Sequence, residues 1–307
     1  MTQENECETF IRNLSQAQYA FNDTVLTSDE LYQIKKEAND NRSAYGMAPI
    51  GSHIFSLIEQ NRTVFFQLQK FSSPDLDAMI IRYRPGSSRK YIVINSEKPL
   101  INQIFAAAHE YYHYLYSFQH IHQDSIICDF NRADDREEIK ANRFAAEFLL
   151  PQAALENERD VFFRYINTET FDSLPIEKQA VFLFNLTIKY SLPLKAVLYR
   201  LREENICGCI DDLMNYYPVL KKALLSVFCD SVYVKELYSN ENRYISGPLY
   251  QLLPVLYENG RIDGSDVEKI VKQFSLDSTV INKDIKIDET DTLSDPAYKM
   301  DVGNTEK

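Results

Sequence analysis

A chain of 307 residues, 45% apolar and 25% charged, has room for one large globular domain and a smaller one, and no apolar run approaches the roughly 20 residues a bilayer span needs. Its net charge of −12 argues against direct, non-specific nucleic-acid binding, because a phosphate backbone would be repelled, and is compatible with a basic partner. Five cysteines without framework spacing, and an acidic, polar start at residues 1–6, argue against a disulfide scaffold and a secretory leader, so the expected compartment is the cytoplasm.

Residues 1–42 read as a helical, polar extension, with Phe10, Ile11, Leu14, Tyr19 and Leu31 as packing points. Residues 43–70 carry a helix and then a short strand at 63–68. His53, ahead of Ile54 and Phe55 at a helix start, reads as structural. Two further β segments, 78–83 and 91–94, are joined by Arg84-Pro85-Gly86-Ser87-Ser88, a hairpin-type connection. An exposed edge of such a sheet is able to take an extended peptide by backbone hydrogen bonds. Asn95 is then a weak substrate-contact candidate, set against the more common reading as a turn residue.

Residues 99–118 read as a helix, with Ile101, Ile104, Phe105 and Ala108 at helical spacing and Leu115 and Phe118 continuing the apolar face. The run Ala106-Ala107-Ala108 allows another element to approach closely. Within this helix stands His109-Glu110-Tyr111-Tyr112-His113. Side chains four apart share a helical face, so both imidazoles can reach one metal ion, while Glu110 lies where a base for an activated water is needed. The competing reading, two surface histidines on an amphipathic helix, needs no metal. Tyr111, Tyr112, Tyr114 and Tyr116 read as core or rim aromatics. His120 and His122, just beyond the helix, are candidates for an oxyanion contact, against a plain surface-loop pair.

A catalytic zinc takes three protein donors and keeps one position open. Cysteine is a poor third donor here: Cys128 is isolated, and Cys207-Gly208-Cys209 has a single spacer. About 25 residues past His113, Glu138-Ile139-Lys140-Ala141-Asn142-Arg143-Phe144-Ala145-Ala146-Glu147-Phe148-Leu149-Leu150-Pro151 favours a helix ended by its proline. Glu138 near its start is the expected ligand, and Asn142, one turn on, can hydrogen-bond a ligand from behind. Glu137 and Glu147 are the rival carboxylates. Asp134, Asp135 and Glu137 also fit a solvated helix start.

The paired motifs, His109-Glu110-x-x-His113 and Glu138-x-x-Ala141-Asn142-x-Phe144-Ala145-Ala146-x-x-Leu149-Leu150-Pro151, resemble the ImmA/IrrE family of zinc metallopeptidases. Residues 89–95 are similar to the strand before that family's active-site helix, and 190–201 to the small helical unit after its core, so the resemblance spans about 45–206. It implies an α+β fold: a zincin-like metallopeptidase core with a small β-sheet and the HExxH helix, followed by a mainly helical C-terminal region. It also implies one Zn2+ held by His109, His113 and Glu138 in a gluzincin-like set, with Glu110 as catalytic base. The implied substrate is a helix-turn-helix, DNA-binding repressor, cut at one site to release its genes. Tyr111-Tyr112 and Phe105-Ala106-Ala107-Ala108 depart from the family pattern, and the two tyrosines are placed to narrow the cleft. A rival expectation is a non-catalytic, zinc-containing interaction protein of a mobile-element or toxin–antitoxin system. An intact Glu110 weighs against it.

The expected organisation is an extension (1–42), a peptidase core (43–158), a helical unit (159–206), a C-terminal helical region (207–277) and a disordered tail (278–307). Gly247-Pro248 and Pro254 read as helix breakers, and 256–274 as a helix, a glycine cap and another helix. Neither a membrane nor direct nucleic acid is an expected partner.

Overall fold

In the computed structural model the described residues are 26–82, 88–117, 125–128 (backbone), 136–208, 213, 228, 230–240, 244, 247–273 and 276. The chain divides into two compact units between Tyr244 and Ile245. The fold is α+β, with a four-stranded sheet in the first unit.

Helix α1 (Ser28–Asn41) begins at a capping box: Glu30 N donates to Thr27 Oγ1 at 3.3 Å and Thr27 N to Glu30 Oε2 at 2.9 Å. It buries Ile34 and Ala38, four residues apart and so on one face. Leu31 is partly buried against the same core, whereas Phe10 to Tyr19 lie outside the described residues. Helix α2 (His53–Glu59) buries Ile54, Phe55 and Ile58 and leaves His53 exposed at its first turn.

Strands β1 (Val64–Gln69), β2 (Ala78–Arg82), β3 (Lys90–Asn95) and β4 (Ser125–Cys128) form a sheet in the order β1-β3-β2-β4. The expected pairing of β2 with β3 is present and antiparallel, with Ile80 opposite Ile92. Strand β1 runs parallel to β3, and β4 antiparallel to β2. Ala78, Ile80, Ile92 and Ile94 are fully buried, the alternation that directs one face of a strand to the core. Asn95, weighed as a substrate contact, proves to be a loop anchor. It is buried, its Nδ2 donates to Leu76 O at 2.8 Å, and its Oδ1 accepts from Glu97 N at 3.1 Å.

Helix α3 (Leu100–Leu115) is buried at every residue from Leu100 to His113, its polar Asn102, Gln103, His109, Glu110 and His113 included. It packs against β2, β3 and α4 (Arg136–Leu149), and Ala106–Ala108 are all essentially inaccessible. Its first turn would leave an orphan N–H at Leu100. Ser239 O accepts that bond at 2.8 Å, from the end of a later helix, α8 (Val232–Tyr238). Tyr111 and Tyr112 do not line an open cleft. Both are buried, Tyr111 against Phe148 (centroids 5.8 Å apart) and Tyr112 against Phe144 (5.4 Å), because α4 lies directly over that face of α3.

Pro151 ends α4 and caps α5 (Gln152–Ile166). Helices α6 (Ile176–Tyr190) and α7 (Leu194–Glu203) follow, turned at Ser191 in the left-handed region (φ 51°) and restarted at Pro193. An ionic knot ties α7 to the far end of α4. The buried Arg200 donates to Leu150 O (3.2 Å) and pairs with Glu147 (2.5 Å), Glu203 (2.8 Å) and Glu204 (2.9 Å). Burial alone would discourage its charge, but the three carboxylates outweigh burial and hold the guanidinium firmly protonated.

The second unit contains α9 (Gly247–Glu258) and α10 (Gly264–Gln273), packed around Leu253 and Val267. The expected glycine cap is Gly260, at φ 62°, with Arg261 N donating to Leu256 O at 2.8 Å. Gly247-Pro248 and Pro254 do not break this helix. Gly247 and Pro248 sit in its first turn, where a proline has no intrahelical N–H bond to lose, and Pro254 lies inside it. Among the described residues no single helix is long and apolar enough to cross a membrane.

Candidate metal centre

Two buried helices meet where the sequence placed its chemistry. His109 and His113 project from one face of α3, and Glu138 reaches them from the first turn of α4. His109 Nε2 lies 3.0 Å from Glu138 Oε2, His113 Nε2 lies 3.2 Å from Glu138 Oε1, and the two Nε2 atoms are 3.1 Å apart. Tetrahedral donors at the usual bond lengths of about 2.0–2.1 Å are separated by about 3.3 Å, so the triangle is close to a metal's own ligand spacing. Among the described residues this is the group of histidine, cysteine and carboxylate side chains that could hold an ion.

The hydrogen bonds behind the rings agree with that use. His109 Nδ1 lies 3.0 Å from Asn142 Oδ1, an acceptor, and this contact turns Nε2 toward the shared position. His113 Nδ1 is 2.9 Å from Ser117 Oγ. Burial is the largest influence on His113 and favours its neutral form. Burial also pushes the Glu138 carboxyl upward, but hydrogen bonds from His109 and His113 outweigh this and hold it well below the usual carboxylate range; a cation bound there would take the place of those Nε2 protons. Neutral imidazoles and an ionised carboxylate are the states a cation binds. Both rings are inaccessible, whereas the Glu138 side chain is 14% exposed, so the cluster meets solvent on the α4 side.

Glu110 is fully buried in α3 between the two histidines. The rival carboxylates are engaged elsewhere. Glu147 Oε1 accepts from Gln152 N at 3.0 Å and Glu147 Oε2 pairs with Arg200. Glu137 Oε1 accepts from Lys140 Nζ at 2.7 Å, while its Oε2 takes longer bonds, 3.5 Å each, from Ser117 and Tyr112. Sequence reasoning passed over Ser117. Its signal was its position four residues after His113, the spacing that brings it under that ring. His120, His122, Asp134 and Asp135 lie outside the described residues, as does Cys209. Cys207 is buried, with its thiol 3.4 Å from Asp172 Oδ1 and not in the cluster.

No curated protein matches the chain. Residues 68–202 match the M78 peptidase family, described as the IrrE N-terminal-like domain. The match takes in β2, β3, α3, β4 and α4 to α6 entire, and with them His109, Glu110, His113, Glu138 and Asn142. Residues 68–202 of this chain are therefore similar to the peptidase domain of the ImmA/IrrE family.

Proposed function

We propose that the chain is a zinc-dependent endopeptidase that cuts a DNA-binding transcriptional repressor at one site. The observation that carries the reading is the convergence of His109 Nε2, His113 Nε2 and the Glu138 carboxylate, with Glu110 buried on the same helix next to the first histidine. In this reading His109, His113 and Glu138 hold one Zn2+ and Asn142 orients the first ring. Bound there, the ion would supply Lewis acidity, lowering the pKa of water at its open position and polarising the scissile carbonyl. Glu110 takes one proton from the attacking water as the C–O bond forms. It then returns that proton to the departing amine nitrogen as the C–N bond breaks. The buried setting keeps bulk water from competing for that proton.

The acidic chain favours a basic partner, and repressors carry basic surfaces where they meet phosphate. The cytoplasm, where such a substrate resides and thiols stay reduced, is the proposed compartment. The test is to incubate zinc-loaded protein with candidate helix-turn-helix repressors, taken first from any neighbouring reading frame, and to weigh the products by mass spectrometry. Two fragments from one cut, abolished by a chelator, are expected. Stable binding without cleavage would favour the rival reading of a non-catalytic interaction protein.

A further inference from the structure

We propose that Ser117 and Glu137 are positioning residues for the metal centre, fixing His113 with its proton on Nδ1 and its Nε2 lone pair on the shared ligand position. The inference rests on the reading of His113 as a ligand.

Its basis is the direction of a hydrogen-bond chain. A carboxylate only accepts, so the Ser117 hydroxyl donates to Glu137 Oε2 at 3.5 Å. The Ser117 oxygen is then the acceptor for His113 Nδ1–H at 2.9 Å. Glu137 is itself held in place by Lys140 Nζ at 2.7 Å on Oε1 and by the Tyr112 hydroxyl at 3.5 Å on Oε2. Ser117 is 3% exposed, so water does not readily substitute for it. The first turn of α4 thus addresses both nitrogens of one ring, Glu138 directly at Nε2 and Glu137 through Ser117 at Nδ1. His109 is served differently, by the neutral amide of Asn142. The Ser117–Glu137 bond is long and the Glu137 side chain is 36% exposed, so Ser117 carries the larger share.

The experiment compares wild type, Ser117→Ala and Glu137→Gln as full chains, titrating each metal-free protein with Zn2+ against a chromophoric chelator. Imidazole nitrogen NMR of the zinc-loaded proteins reads which ring nitrogen carries the proton. Ser117→Ala is expected to weaken zinc binding by about 10- to 100-fold, with a smaller loss in Glu137→Gln, and His113 in wild type is expected to carry its proton on Nδ1. Unchanged affinity in either variant, or a wild-type His113 protonated on Nε2, overturns the proposal. Should Ser117→Ala fail to fold, the partly exposed Glu137→Gln and the wild-type tautomer still decide it. Failure of the underlying ligand reading would look different: wild type would take up no zinc, or His113→Ala would bind it as tightly as wild type.

Discussion

Glu110→Gln is expected to keep its full metal content and to lose cleavage by about 100- to 10,000-fold, the share of a rate that a positioned acid–base group supplies. The amide has nearly the same shape as the carboxylate, so the buried helix around it has no reason to shift. It cannot take up a proton, and the attacking water then has no base at the point where charge develops. Metal content by elemental analysis and product formation by mass spectrometry, measured on the same preparation, check both halves. Cleavage at the wild-type rate would remove Glu110 from the mechanism, whereas a loss of metal would make it a structural part of the site.

The second large effect is on the metal itself. Glu138→Ala removes one of three converging donors and the only anionic one, leaving two neutral rings to face a divalent ion. The loss of zinc affinity should exceed the roughly 10- to 100-fold typical of groups that merely orient a ligand. Equilibrium dialysis against a zinc buffer measures it, with Glu137→Gln as the comparison. The two carboxylates are adjacent in sequence, but the helix turns about 100° per residue, so they part. Glu138 meets both Nε2 atoms, and Glu137 is committed to Lys140 and Ser117. A fully metallated Glu138→Ala protein would place the third donor elsewhere.

What could be read from the sequence was what short-range spacing determines. The i, i+4 histidines, the helix ended by Pro151, the β2–β3 pairing and the Gly260 cap all depend on neighbours within a turn or a hairpin. Long-range partners were not legible. Strand β4 has only four residues, too few to show a period, and nothing local reveals that β1 runs parallel to β3. Nothing in the sequence marks Arg200 as buried, because its carboxylates come from both α7 and the end of α4. Tyr111 and Tyr112 were misplaced toward the cleft for the same reason: the helix that covers them begins more than 20 residues later.

Pro254 teaches a related lesson. Its missing N–H costs a helix one bond, yet the helix persists around the small core of Leu253 and Val267. Local propensity gave way to packing there, whereas at the metal centre local spacing and packing agree.

The most direct test of the metal assignment is anomalous diffraction at the zinc edge from zinc-loaded crystals. A single peak is expected, within about 2.0–2.2 Å of His109 Nε2, His113 Nε2 and a Glu138 carboxylate oxygen, with one coordination position left to solvent. A peak away from these three atoms, or a fourth protein side chain filling that position, would contradict the account.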